Sequence, residues 1–128
     1  MEIIVTNGIK VSVETFYQEE YSRPQERKFI FAYRITIENM SPYAVQLMRR
    51  HWYIADCTGI VREVEGEGVI GKQPILEPGE AHQYVSWSHL FTEIGKMSGY
   101  YTFQRLSNGE SFKADIPAFN LVTPYKMN

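Results

Sequence analysis

The chain has 128 residues, the size of one domain, and a chain of this length buries roughly two-thirds of its unfolded surface on folding. Its net charge is −2, with 44% hydrophobic, 22% charged and 14% aromatic residues. This balance excludes a protein that holds nucleic acid mainly by charge, which needs a basic surface. We therefore expect a single domain over residues 1–128, with a core that requires neither a metal nor a disulfide.

Cysteine usage and hydropathy indicate a compartment. Cys57 is the single cysteine, so an internal disulfide is excluded and a reducing environment is favoured. Residues 1–8 do not combine a basic segment with a long apolar stretch, as a secretory signal would. Apolar runs also fall well short of the roughly 20 residues that span a bilayer. These features predict a cytoplasmic protein that does not associate with membranes.

Period-two alternation dominates the N-terminal third of the chain and is typical of half-buried strands. It predicts one strand over residues 9–14 and a longer one over residues 29–37. The opposite face of the second strand changes from apolar to polar along its length. The charged segment 18–28 between the two strands is predicted to be a solvated loop.

A third strand is expected from about residue 44 to residue 55, with Met48 and Trp52 on one face and Trp52 in the core. Residues 56–59 predict a tight turn, because aspartate bonds forward to the backbone and glycine accepts positive φ. Residues 60–65 then read as the return strand of a hairpin.

Turn chemistry divides the C-terminal half of the chain. Residues 77–80 predict a turn built on Pro78 and Gly79, and Asn108-Gly109 predicts a hairpin. The strands expected around these turns span residues 81–87, 100–106 and 111–116. Pro117 is expected to end its ladder or to lie at a sheet edge, because proline has no N–H to donate. Helical spacing is limited to residues 90–97, where one short turn is compatible with the pattern.

Seven or so short strands with regular turns predict an all-β protein, either a β-sandwich or a small barrel. Since the chain has no paired cysteines, we favour an immunoglobulin-like or fibronectin type III-like β-sandwich.

Several motifs in fixed order resemble the bacterial ApaG family and together cover nearly the whole chain. They are FAYRITIEN (31–39), VQLMRRHW (45–52), VEGEGVIGKQP (64–74), LEPGE (76–80) and the near-terminal IPAF (116–119). The chain departs from the family pattern at residues 86–91, where relatives have a small segment with a proline. A binding surface at that edge is therefore expected to differ from those of its relatives.

The resemblance implies a fibronectin type III-like sandwich and a domain without an agreed biochemical activity. It also implies genes beside a diadenosine tetraphosphate hydrolase and a link to cobalt and magnesium tolerance. In eukaryotes the domain is carried by F-box proteins and a polymerase-interacting protein, which implies a use in protein contacts.

Three glycines follow the G-x-G-x-x-G spacing: Gly66, Gly68 and Gly71. A dinucleotide site needs a helix directly after such glycines, and Pro74 prevents one of useful length. We interpret the run as a structural loop, with a backbone nest for a small anion such as pyrophosphate as the alternative. Arg49 and His51 point to one side of an extended strand and are candidates to complete an anion or acidic-partner site with this loop. The alternative is that both line a solvent-exposed face.

Carboxylates alternate along the predicted return strand. The candidates for a divalent cation are Glu63, Glu65 and Glu67, with His51 and Asp56 on neighbouring segments. Their spacing matches no dedicated metal site and is more typical of a solvated strand face, so we predict no bound metal and no cofactor. His82 and His89 are expected at the surface.

The sequence offers no nucleophile and base that can be placed together, and Cys57 sits in a turn without a helix N-terminus to activate it. We therefore predict a non-catalytic binding module that contacts another protein. The candidate contact residues are Trp87, Phe91, Tyr100 and Tyr101, provided that they are exposed. A small-ligand or cation-linked role is the alternative, and a homodimer through an unpaired edge strand is left open.

Overall fold

The computed structural model describes residues 1–126, which form two antiparallel sheets packed face to face. The strands are β1 (Glu2–Thr6), β2 (Ile9–Tyr17), β3 (Phe29–Asn39), β4 (Val45–Asp56), β5 (Val61–Glu67), β6 (Ile75–Leu76), β7 (Ala81–Leu90), β8 (Ile94–Arg105) and β9 (Ser111–Val122). The first sheet has the order β1-β2-β3-β7. The second has the order β5-β4-β8-β9, and β6 pairs with β4 beyond the end of β5.

The all-β sandwich predicted from the sequence is confirmed, and each predicted strand is present. Sequence patterns missed β1, whose large side chains are mostly exposed, and the two-residue β6. Pro117 does not end its ladder. It lies at a sheet edge, the other position that the sequence predicts for it: β9 runs through Pro117 at the edge of the second sheet, where a residue needs no N–H donor on its open side. Over residues 1–126 no helix is long and apolar enough to cross a membrane.

The core consists of the inward faces of the two sheets. Ile9, Val11 and Val13 of β2 are at most 2% exposed, as their alternation predicts. They face the second sheet, where Trp52 is also buried and packs edge-on against Phe119, with ring centroids 5.9 Å apart. Interdigitation of alternate side chains across about 10 Å is the general way in which a sandwich fills its interior.

The two sides of the sandwich differ. On one side β9 packs against β1 and β2, and the side-chain amide of Asn7 donates to the carbonyl of Lys113 at 2.8 Å. On the other side lie the edge strands β5 and β7, where Arg62 reaches across to the carbonyl of His89 at 2.6 Å. Pockets open around this crossing, so the second side positions the candidate site.

Asn39 is a fully buried polar residue that joins three segments of the chain. Its side-chain amide donates to the carbonyls of Tyr43 and Leu76, at 2.7 and 2.9 Å, and its carbonyl oxygen accepts from Ser41. The end of β3, the following turn and β6 are therefore held by one side chain.

Replacing Asn39 by alanine should lower the free energy of unfolding by about 3 kcal/mol, because the buried carbonyl of Leu76 loses its donor and three part-buried hydrogen bonds are lost with it. Urea denaturation of Asn39→Ala measures this loss. Asn120→Ala is the matched control, since Asn120 is exposed on β9 and its truncation should change stability by less than about 0.5 kcal/mol. Equal stabilities of the two variants would contradict the role of Asn39.

Candidate functional site

A β-bulge in β4 determines which way its arginines point. Register against β8 shifts between Leu47 and Arg49, so the inward-facing residues change from odd to even numbers along the strand. Leu47 is buried before the bulge and Trp52 after it. Bulges re-aim side chains in this way. The consequence here is that Arg50 faces the space between the sheets.

Arg50 lines an intersheet pocket of about 330 Å³, bounded by β4, β5, β7 and the glycine run. Its polar lining includes Tyr33, Arg50, Arg62, Tyr84, Ser86 and Ser88. Trp52, Val64 and Val69 form apolar walls. The lining contains no aspartate or glutamate from the part of the chain that the structure describes, so the pocket has a cationic character.

The guanidinium of Arg50 rests on the glycine run. Its Nη1 donates to the carbonyls of Glu67 and Gly68, at 2.9 and 3.0 Å. A Cβ on Gly66 would lie only 3.1 Å from the guanidinium nitrogens, so the missing side chain makes room for it. Both acceptors are neutral, and within residues 1–126 no carboxylate forms an ion pair with Arg50.

The glycine run ends in a two-residue hairpin turn. Val69 and Lys72 exchange backbone hydrogen bonds at 2.8 and 3.0 Å. Between them, Ile70 and Gly71 both have positive φ, 46° and 72°, as a type I′ turn requires. A β-branched residue rarely adopts this conformation, so the turn carries local strain at Ile70.

The backbone amides of Gly68 and Val69 in the run, and that of Lys72 directly after it, are used within the protein. The N–H of Gly68 donates to the carbonyl of Met48 at 2.9 Å, while those of Val69 and Lys72 bond to each other's carbonyls. A phosphate nest needs successive free amides, which these three residues do not offer. The chain then continues through Pro74 into β6, so a helix does not follow the glycines.

Tyr33 and Tyr84 line the pocket, and Tyr101 is linked to them through the hydroxyl of Tyr84. Burial raises the pKa of Tyr33, Tyr84 and Tyr101 above the ordinary value of 10.0, and the positive charge of Arg50 acts in the opposite direction on each. The hydroxyls of Tyr84 and Tyr101 share a hydrogen bond. These groups therefore stay protonated at neutral pH and can act as hydrogen-bond donors.

Arg49 and His51 lie on the outer face of β4, opposite the pocket. Arg49 is exposed. The ring of His51 stacks on Tyr100, with centroids 5.0 Å apart, and its Nδ1 lies 3.1 Å from Glu65 while its Nε2 lies 3.7 Å from Glu63. The structure thus places His51 beside the carboxylates of β5. Arg50, which lies between Arg49 and His51 in the sequence, is the residue that contacts Gly66 and Gly68.

The acidic candidates share this outer face. Because β5 alternates, Glu63, Glu65 and Glu67 point away from the pocket that Arg62 and Val64 line. Within residues 1–126 no three His, Cys, Asp or Glu side chains are arranged to hold a metal ion.

The aromatic candidates and the remaining histidines separate by exposure. Trp87 and Phe91 are 49% and 47% exposed, whereas Tyr101 is fully buried and belongs to the core. His82 and His89, which the sequence predicts at the surface, are each partly exposed and partly buried.

The fold and this pocket define a two-sheet antiparallel β-sandwich with a cationic cleft between its sheets. Residues 19–105 match the ApaG domain family, and the chain belongs to that family. It is 51% identical over 120 residues to Protein ApaG of Brucella anthropi, covering 94% of this chain and 92% of that protein. Protein ApaG of Brucella abortus (strain S19) is 48% identical over the same shares of the two chains.

Solved structures agree with this placement. The X-ray structure of Northeast Structural Genomics Consortium target SoR45 superposes with a TM-score of 0.87 at 43% identity, covering 93% of this chain and 89% of that one. A crystal structure described as an ApaA protein from Bordetella pertussis also gives a TM-score of 0.87, at 40% identity, with coverages of 91% and 94%. The resemblance seen in the sequence is therefore confirmed at the level of the family.

Sequence reasoning placed Arg50 on the same face of the strand as Trp52 but did not select it as a site residue, because alternation does not show that Gly66 lies beside Arg50 on β5. A usable signal was present in Gly66, since a glycine inside a strand often marks a side chain or a backbone that approaches closely.

Gly68 and Gly71 provide a matched test of the hairpin. A Cβ at Gly68 would overlap the carbonyl oxygen of Lys72, whereas one at Gly71 would meet open space, and both glycines have positive φ. Gly68→Ala should lower the free energy of unfolding by more than about 2 kcal/mol, and Gly71→Ala by about 1 kcal/mol. Chemical denaturation measures both, and a loss at Gly71 as large as that at Gly68 would refute this account.

Alkaline titration tests the tyrosine cluster. Because burial raises the folded-state pKa of Tyr84 above 10.0, its contribution to stability is complete below that pH and is lost as the pH rises beyond it. Tyr84→Phe should therefore show a shallower fall of unfolding free energy between pH 10 and pH 11 than the unmodified chain does. Identical slopes would mean that Tyr84 ionises normally in the folded protein.

Proposed function

We propose that this ApaG-family chain is a non-catalytic binding module that contacts a protein partner through the outer face of its first sheet. The observation that supports the proposal is a row of apolar side chains on that face. We call it the Trp87 patch: Phe16, Tyr21, Val85 and Trp87, which are 44%, 55%, 51% and 49% exposed.

Strand register builds the patch. Phe16, Ala32 and Trp87 are direct cross-strand neighbours on β2, β3 and β7. Ala32 is small and buried, so the two aromatic side chains stand on either side of it. Tyr21, from the short 3₁₀ turn after β2, packs edge-on against Trp87 with ring centroids 5.1 Å apart. Aromatic side chains in such half-exposed clusters are the usual anchors of protein interfaces.

The border of the patch is polar and electrically balanced. Arg34 is bound by both carboxylate oxygens of Glu14 at 2.8 Å, and its guanidinium lies 5.4 Å from the ring centre of Phe16. Further along the same face, Gln83 donates to Thr36 at 2.9 Å. An apolar centre with a polar rim fits an apolar surface of another protein better than a charged ligand.

The polar groups support a non-catalytic role. His51 is held on the outer face between two carboxylates and the ring of Tyr100, and Cys57 is exposed in the turn after β4. An exposed free thiol fits a reducing compartment such as the cytoplasm. The cation-linked alternative has weaker support, because the carboxylates of Glu63 and Glu65 lie beside His51.

Trp87→Ala should abolish capture of a specific partner when the tagged protein is used to isolate binding proteins from cells of its source. Val5→Ala is the matched control, because Val5 is 54% exposed on β1 at the far edge of the same sheet. Both variants should keep a melting temperature within about 4 °C of the parent, because each side chain is half exposed and its truncation costs only about 1 kcal/mol.

Identical partners for the parent and both variants would overturn the proposal. Light scattering of the purified proteins adds a second reading. A dimer that Trp87→Ala converts to a monomer would show that a second copy covers the patch, which would also contradict a heterologous partner.

A further inference from the structure

We propose that the intersheet pocket is a binding site for a small organic oxyanion, whose phosphate or carboxylate group is held by Arg50. This site is distinct from the Trp87 patch, although both use β7. On β7, Tyr84, Ser86 and Ser88 line the pocket and Val85 belongs to the patch, while Trp87 belongs to the patch and also lines the pocket.

The charge distribution of the pocket carries the first part of the argument. Arg50 and Arg62 enter the cleft from adjacent strands, and His89 lines it from β7. No acidic side chain lines it within the described part of the chain. A partly buried cation without a counter-charge is costly to desolvate, and an anionic ligand removes that cost.

Arg50 is also oriented for such a ligand. Two of its five N–H donors bind the carbonyls of Glu67 and Gly68, which fixes the plane of the guanidinium. In residues 1–126, Nε and Nη2 form no hydrogen bond with the protein. A guanidinium edge with two parallel donors matches the two oxygens of a carboxylate or phosphate.

Unpartnered polar atoms give independent support. Ser88 is only 7% exposed and its hydroxyl has no hydrogen-bond partner in the described structure. The Nε2 atom of His89 is likewise buried without a partner. Such groups are rare in native proteins, because each costs about 1–3 kcal/mol unless something bonds to it. Both residues line this same pocket.

The pocket mouth carries the strained turn. Ile70 lines the pocket, is 58% exposed and has a φ of 46°. Strain of this kind is concentrated at ligand clamps, where the surrounding structure retains it. The volume and the walls of the pocket indicate the class of ligand. A pocket of about 330 Å³ with apolar walls formed by Trp52, Val64 and Val69 suits an anion that also has a compact apolar part.

Phenyl phosphate and benzoate are suitable probes, with benzyl alcohol as the neutral control of similar shape. In amide NMR titrations of the full chain, both anions should shift Gly68, Ile70, Ser86 and Ser88, and benzyl alcohol should not. Raising the ionic strength should weaken anion binding. The proposal would be overturned if neither anion shifted these amide signals at about 10 mM, or if benzyl alcohol shifted them equally.

Arg50→Gln should weaken phenyl phosphate binding at least about tenfold, because a charge-assisted pair of hydrogen bonds is lost. Arg49→Gln is the matched control, since it removes the same charge from the adjacent residue on the outer face. Its affinity should stay within about twofold of the parent, because an exposed charge at this distance is largely screened. Equal affinities for the two variants would refute the assignment to Arg50.

Ser88→Ala keeps the test decisive if Arg50→Gln fails to fold. It removes one unpartnered hydroxyl, so stability should be retained or rise, while phenyl phosphate binding should weaken about threefold. A purely structural serine would leave affinity unchanged, and that result would count against the site. Phe16 belongs to the patch but does not line the pocket, so Phe16→Ala should impair partner capture and leave the titration unaltered. Failure of the pocket and failure of the patch can therefore be told apart.

Discussion

A residue that enters the space between two packed sheets must find apolar neighbours or polar partners there, and β4 brings an arginine into that space. The bulge between Leu47 and Arg49 turns Arg50 inward, and the rest of the cleft is arranged around this charge. Gly66 leaves room for the guanidinium, and the carbonyls of Glu67 and Gly68 accept two of its hydrogen bonds. Since neutral carbonyls orient a charge without cancelling it, the cleft remains cationic.

Alternation along β5 separates charges of opposite sign between the two faces of the second sheet. Arg62 faces inward and reaches across to the carbonyl of His89 on β7, which bridges the edge strands of the two sheets. Glu63 and Glu65 face outward and flank His51. The same strand therefore keeps acids away from the pocket and supplies the ion pairs of the outer surface.

The glycine run has a structural role that differs from the role its spacing suggests. In a dinucleotide-binding fold, such glycines open a helix whose amides face the pyrophosphate. Here Gly68 allows the chain to pass close to Lys72, and Ile70-Gly71 closes a tight hairpin that lines the mouth of the pocket. The run contributes shape and carbonyl acceptors, while a side chain from β4 contributes the charge.

Much of the architecture was determined by the sequence itself. Alternation in β2 and β3, the turns at Gly59 and Gly79 and the core position of Trp52 follow from local steric and hydrophobic rules, which act over a few residues. These rules did not reveal strand β1, because Ile3 and Val5 are exposed at a sheet edge and no fully buried residue alternates with them.

Only the tertiary structure decided which arginine meets the glycine run. Alternation alone sets Arg49 and His51 on one face, but it cannot say which elements lie across from each face. The bulge depends on the pairing of β4 with β8, which lie far apart in sequence, and the hairpin that receives Arg50 depends on β5 lying beside β4. Local patterns fix the strands, whereas the cleft between the sheets exists only once long-range pairing has placed their edges together.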